Sequence, residues 1–113
     1  MAAFNALKQA FARERLTVTN AVKTLTAATY NDSANDSNKK KASGAIITML
    51  SGSGDIAFTE EGTAPTADIT TVAGVGRPLS AGDVLTLENY NAIAKWKGIR
   101  ITADAIIEVV YYR

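Results

Sequence analysis

Two periods divide the chain. Phe4, Leu7 and Phe11 recur at helical spacing, with Lys8 and Arg15 on other faces and alanine in between. That pattern predicts a short amphipathic helix over residues 1–15. A helix of this length is marginal alone and has to lie against something. Two readings stay open: it caps the core of its own domain, or it is an arm whose two phenylalanines insert into a neighbouring subunit. From Leu16 the period changes to two, Leu16 and Val18 alternating with Thr17 and Thr19 in a segment rich in threonine and valine.

"NDSANDSNKKKASG", 31–44, is unbroken polar sequence and predicts a solvated loop. The remainder is a series of β-branched runs, "AIITML", "DIAFTE", "DVLTLEN", "KGIRITA" and "AIIEVVYYR", separated by Gly, Pro, Asp and Asn. Only "NYNAIAKW" reads as a helical turn, and no internal repeat is present. The expected fold is all-β: an antiparallel β-sandwich or jelly-roll-like barrel, residues 16–113, behind a short N-terminal helical arm, residues 1–15. In the last run Ala105, Ile107, Val109 and Tyr111 alternate with Ile106, Glu108, Val110 and Tyr112, so neither face is cleanly polar. Such a strand is central in its sheet or covered by another chain.

At 113 residues, 47% of them apolar, the chain suits one packed domain. A net charge of +1 gives no support to a dedicated nucleic-acid binder. Cysteine and histidine are both absent. Thiolate and imidazole metal sites, disulfides, and Ser-His-Asp or Cys-His catalysis are thereby excluded. No apolar run reaches membrane-spanning length. "MAAFNALKQAFARER" lacks the continuous apolar core of a signal peptide, so the expectation is a soluble protein made in a cytoplasm.

The remaining polar motifs are weak. Asp32 and Asp36 alternate with oxygen donors, but the glycine and distal glutamate of a calcium loop are missing. Adjacent Glu60 and Glu61 diverge on extended backbone, and only the fold could bring Asp55, Glu60 or Asp83 together. The lysines are clustered at Lys39–Lys41 and around Trp96, which either stacks a base between Lys95 and Lys97 or plugs the core. Gly52, Gly54, Gly74, Gly76 and Gly82 fit no phosphate loop and are expected at positive-φ turns. In "FTEEGTAPTA", Gly62, Thr63, Pro65 and Thr66 predict a structural corner that can still serve as a contact. The expectation is a protein that is not an enzyme, with no cofactor and no metal.

Phe58–Thr59, Gly62–Thr66, Gly82–Leu87, Trp96–Arg100 and Val109–Tyr112 together resemble small virion proteins of tailed bacteriophages. The resemblance spans about Leu16–Arg113. Against that pattern "NDSANDSNKKK" looks like an insertion, and "DITTVAGVG" is longer than expected. The resemblance implies a capsid decoration (cement) protein on the virion surface, with the major capsid protein and adjacent copies of itself as partners and no specific nucleic acid or membrane. Candidate contacts are Phe4, Leu7 and Phe11, then Gly62, Thr63, Pro65 and Thr66. The alternatives are a head–tail or tail component, which predicts a ring in solution, and a carbohydrate-binding sandwich, which requires Trp96 as an exposed platform.

Overall fold

The computed structural model describes residues 9–31, 41–50 and 54–113. Among the described residues there are eight strands: β1 (Ala10–Val18), β2 (Lys23–Thr24), β3 (Gly44–Met49), β4 (Ile56–Thr59), β5 (Arg77–Leu79), β6 (Val84–Leu87), β7 (Lys97–Arg100) and β8 (Ala105–Tyr112). Two short helices, α1 (Ala27–Tyr30) and α2 (Tyr90–Lys95), lie between these strands. The side chain of Asn89 accepts from Ala92 N at 2.8 Å and caps the start of α2.

The strands form two four-stranded sheets, sheet A in the order β1-β8-β3-β6 and sheet B in the order β2-β7-β4-β5. All pairings are antiparallel. Strands 1 and 8, 2 and 7, 3 and 6, and 4 and 5 are partners, so the chain behaves as one long ribbon folded at the β4–β5 connection. Rolling that ribbon sends alternate pairs to alternate sheets, and the β8–β3 and β7–β4 contacts close each sheet. This is jelly-roll winding of a β-sandwich, as the strand-rich pattern predicted.

Hydrophobic burial between the layers holds the sandwich together. Val18, Ala45, Ile47, Met49, Leu87, Ala105, Ile107, Val109 and Tyr111 line sheet A's inner face. Ile56, Phe58 and Leu79 meet them from sheet B, with Ile93 and Trp96 entering from the α2 end. Strand β8 is interior to sheet A, which accounts for one apolar face of that strand and leaves the other outward.

The predicted helix does not extend over residues 10–15. Ala10–Val18 is strand β1, whose pairing with β8 runs from Ala10↔Tyr112 to Val18↔Ala105. A boundary at residue 15 therefore cuts through β1 instead of separating an arm from a domain, and residues 1–8, with Phe4 and Leu7, lie outside the described residues. Phe11 is the additional residue of a β-bulge between Ala10 and Ala12, packed against the core's margin.

Strand β1 is a nine-residue edge strand. The bulge and the inward-facing Glu14 guard that edge against pairing with another strand. In sheet B the edge strand β5 is short and contains Pro78, which offers no backbone donor.

The β4–β5 connection folds back over sheet B, which is why all four residues of β4 are buried. Ile56 and Phe58 face the core, while Ala57 and Thr59 face out beneath the connection. Thr59 Oγ1 donates to Thr63 O at 2.5 Å. Thr66 and Val75 tie the stems through Thr66 N to Val75 O and Val75 N to Thr66 Oγ1, both 2.9 Å. Pro65 is buried in this corner, and Gly62 turns it at φ +96°. Gly54 and Gly74 are not at positive φ as predicted. A Cβ there would lie 2.4 Å from Ala103 O and 2.6 Å from Ile69 Cα, so close backbone approach selects glycine at both.

Candidate docking surface

Sheet A has one face in the core and one face out. The register puts Arg13, Arg15 and Thr17 of β1 on the outward face, beside Val110, Glu108 and Ile106 of β8. Ile46 and Thr48 of β3 continue the rows, followed by Thr86 and Val84 of β6. Val84 is 60% exposed and Ile106 41%. A groove of about 430 Å³ at one end is lined by Ala10, Phe11, Ala12, Arg13 and Val110. The Arg113 guanidinium lies 5.6 Å from the centre of the Phe11 ring.

The charged groups on this face are organised around one carboxylate. Arg13 donates to Glu108 Oε2 through Nη2 at 2.6 Å and through Nε at 3.1 Å, and Arg15 Nε donates to Oε1 at 2.5 Å. The hydrogen bond from Arg15, then that from Arg13, holds the Glu108 carboxyl below its ordinary value of 4.5. Because the native value lies below the unfolded one, the clamp's contribution to stability is whole above pH 4.5 and is lost as pH falls through the depressed native value. Glu108→Gln is therefore expected to unfold at lower urea concentration than wild type at pH 7, with the gap closing on acidification. A gap unchanged from pH 7 to pH 2 would refute the clamp.

The other positions singled out in the sequence serve structure. Trp96 is fully buried, stacked on Phe58 with ring centroids 6.5 Å apart and planes 16° from parallel. It plugs the core and supplies no exposed platform for a sugar or a base. Glu60 pairs with Arg77 at 2.6 Å beside a cleft of about 350 Å³, and Glu61 is exposed. The side chain of Asp83 accepts from Ser80 N at 2.8 Å in the turn before β6. Among the described residues no group of three His, Cys, Asp or Glu side chains comes together as a metal site. Asp32, Asp36, Lys39 and Lys40 lie outside the described residues. Lys41 at that loop's far stem places Nζ 4.0 Å from the centre of the Tyr90 ring.

The two sets of candidate contacts are not brought together. Phe11 borders the groove on sheet A, whereas Gly62, Thr63, Pro65 and Thr66 cover sheet B on the opposite side of the sandwich. The candidate contacts include neither Arg13 nor Glu108, and the helical period places Arg15 on another face of the arm. The signal was the alternation of Arg13, Arg15 and Thr17 with Ala12, Leu16 and Val18. Glu14, a charge on the inward side, breaks that alternation.

No family model matches the chain, and no curated protein matches it. Among solved structures it is similar to an RmlC-like cupin protein from Desulfovibrio desulfuricans, with 13% identity and a TM-score of 0.44 over 93% of this chain and 79% of that one.

Proposed function

We propose that this protein is a structural component of a tailed-bacteriophage virion, a capsid decoration protein that adheres to the outer surface of the major capsid protein shell. Its role is non-catalytic: it bridges neighbouring shell subunits, and many copies sum individually weak contacts. The jelly roll does not choose among functions, since the same winding serves capsid, lectin and cupin domains. The observation that carries the reading is the outward face of sheet A, where Val84 and Ile106 stay exposed beside an ordered ion cluster. Exposed apolar side chains flanked by fixed charges are the make-up of an interface core with a polar rim.

Three of the motif stretches behind the phage resemblance are framework here. Gly62–Thr66 forms the corner over β4, Gly82–Leu87 the turn into β6, and Trp96–Arg100 the core plug and β7. These three support a shared fold, and of the motif positions Val110 in β8 borders the proposed adhesive surface.

The test is co-sedimentation of the purified protein with expanded, empty shells assembled from the major capsid protein encoded in the same genome. Saturable binding at a fixed ratio to that protein is expected. Absence of binding, together with a defined ring on analytical ultracentrifugation, would overturn the reading in favour of a head–tail or tail component.

A further inference from the structure

Two guanidiniums on the outward face of sheet A share one carboxylate. The side chains of Arg13 and Arg15 are 73% and 65% exposed, while that of Glu108 beneath them is 13% exposed. The cluster therefore keeps a net positive charge at the surface, and Arg113 beside Phe11 adds to it. Glu108 holds both arginines in one arrangement, which lowers the entropy lost when a partner pairs with them. Around this fork the exposed apolar groups are aliphatic, Val84 and Ile106.

We infer that this face docks an acidic protein surface, with carboxylates of the partner taken by Arg13 and Arg15 and an apolar patch of the partner covering Val84 and Ile106. The inference rests on the decoration reading and names the chemistry that the shell must present. A basic fork pairs with carboxylates in bidentate geometry. Aliphatic neighbours gain from burial against protein, and the rings on this face, Phe11 and Tyr112, are half-buried at its far end instead of standing out as a stacking platform. A second copy of this chain presenting the same face would set four arginines against two glutamates, a like-charge encounter that disfavours isologous pairing.

The experiment compares shell co-sedimentation of wild type, Arg13→Glu/Arg15→Glu and the neutral triple variant Arg13→Gln/Arg15→Gln/Glu108→Gln, at salt from roughly 50 to 500 mM. The triple variant has no uncompensated charge, so it keeps the comparison valid if the reversed pair unfolds, and thermal melts report folding of each. Both variants are expected to bind at least about tenfold more weakly at low salt, and wild-type binding is expected to weaken as salt rises. Wild-type binding with both variants unchanged would overturn this inference and leave the decoration reading intact. Failure of wild type to bind would overturn both. Two further arms bear on the partner: binding of a single-stranded oligothymidine as tightly as shells, or a wild-type dimer abolished by the same substitutions, would each overturn the assignment of an acidic protein partner.

Discussion

Trp96→Ala is expected to lower the free energy of unfolding by about 3–5 kcal/mol, the usual loss when a large aromatic is removed from a packed core. Trp96 is fully buried where α2 ends and β7 begins, so its ring seals the sandwich at the point where the chain re-enters sheet B. The ring needs a specific bed. Gly98 lies two residues on, on the same face of β7, opposite Phe58 in the register. A Cβ on Gly98 would come within 2.6 Å of Trp96 Cη2, so only glycine lets the indole lie flat across the strand and stack on Phe58.

Gly98→Ala alone is accordingly expected to cost about 1–3 kcal/mol by overpacking. In the Trp96→Ala background the same change meets a cavity and should cost much less, so the pair is strongly non-additive. The indole N–H has no acceptor among the described residues, and Trp96→Phe, which removes that donor while keeping a ring, should retain most of the stability. Because Trp96 is the one tryptophan, urea unfolding has to be followed by far-ultraviolet circular dichroism. A loss under 1 kcal/mol for Trp96→Ala, or additive costs in the double variant, would show that the indole does not hold the two sheets.

Most of the fold was legible because period and punctuation agreed. β3, β4, β6, β7 and β8 all lie in β-branched runs bounded by turn residues, and α2 follows an asparagine cap. The first half of β1 was not legible, for a physical reason. The helical period runs into Phe11 from Phe4 and Leu7, which lie outside the described residues, while β1 carries a bulge at Phe11 and a carboxylate on its inner face, and each of those breaks the period of two. Long-range pairing with β8 decides the conformation, and no local window contains β8. β5 was missed as well, because "RPL" is three residues between turn signals and becomes a strand only by lying beside β4. The candidate surface was half visible. The mixed outward face of β8 was evident from its alternation, but the partners of Glu108 sit 93 and 95 residues away in sequence.

The inward carboxylate of Glu14 leads to the second large effect. Tyr111 is fully buried on the inner face of β8 and donates its hydroxyl to Glu14, which also accepts from Thr26 N at 3.2 Å. Tyr30 packs on Tyr111 with centroids 5.9 Å apart and on Tyr90 at 5.7 Å, so one ring cluster joins β8, α1 and α2. Tyr111→Ala removes the ring and strands the carboxylate, and is expected to cost about 3–5 kcal/mol. Tyr111→Phe keeps the ring and deletes only the hydrogen bond to a charged acceptor, for about 1.5–3 kcal/mol. Burial first, then the Glu14 carboxylate, push the Tyr111 hydroxyl far above its ordinary value of 10.0. With the native value raised, this group's contribution is whole below pH 10.0 and is lost as pH climbs toward the native value. Wild type should therefore lose stability steeply above pH 10.0, and Tyr111→Phe should lose it less steeply, keeping the residual slope of Tyr30, which burial also raises. Urea midpoints of the two proteins measured from pH 8 to pH 11.5 decide the matter, because parallel curves would mean that the Tyr111 hydroxyl is not held by Glu14.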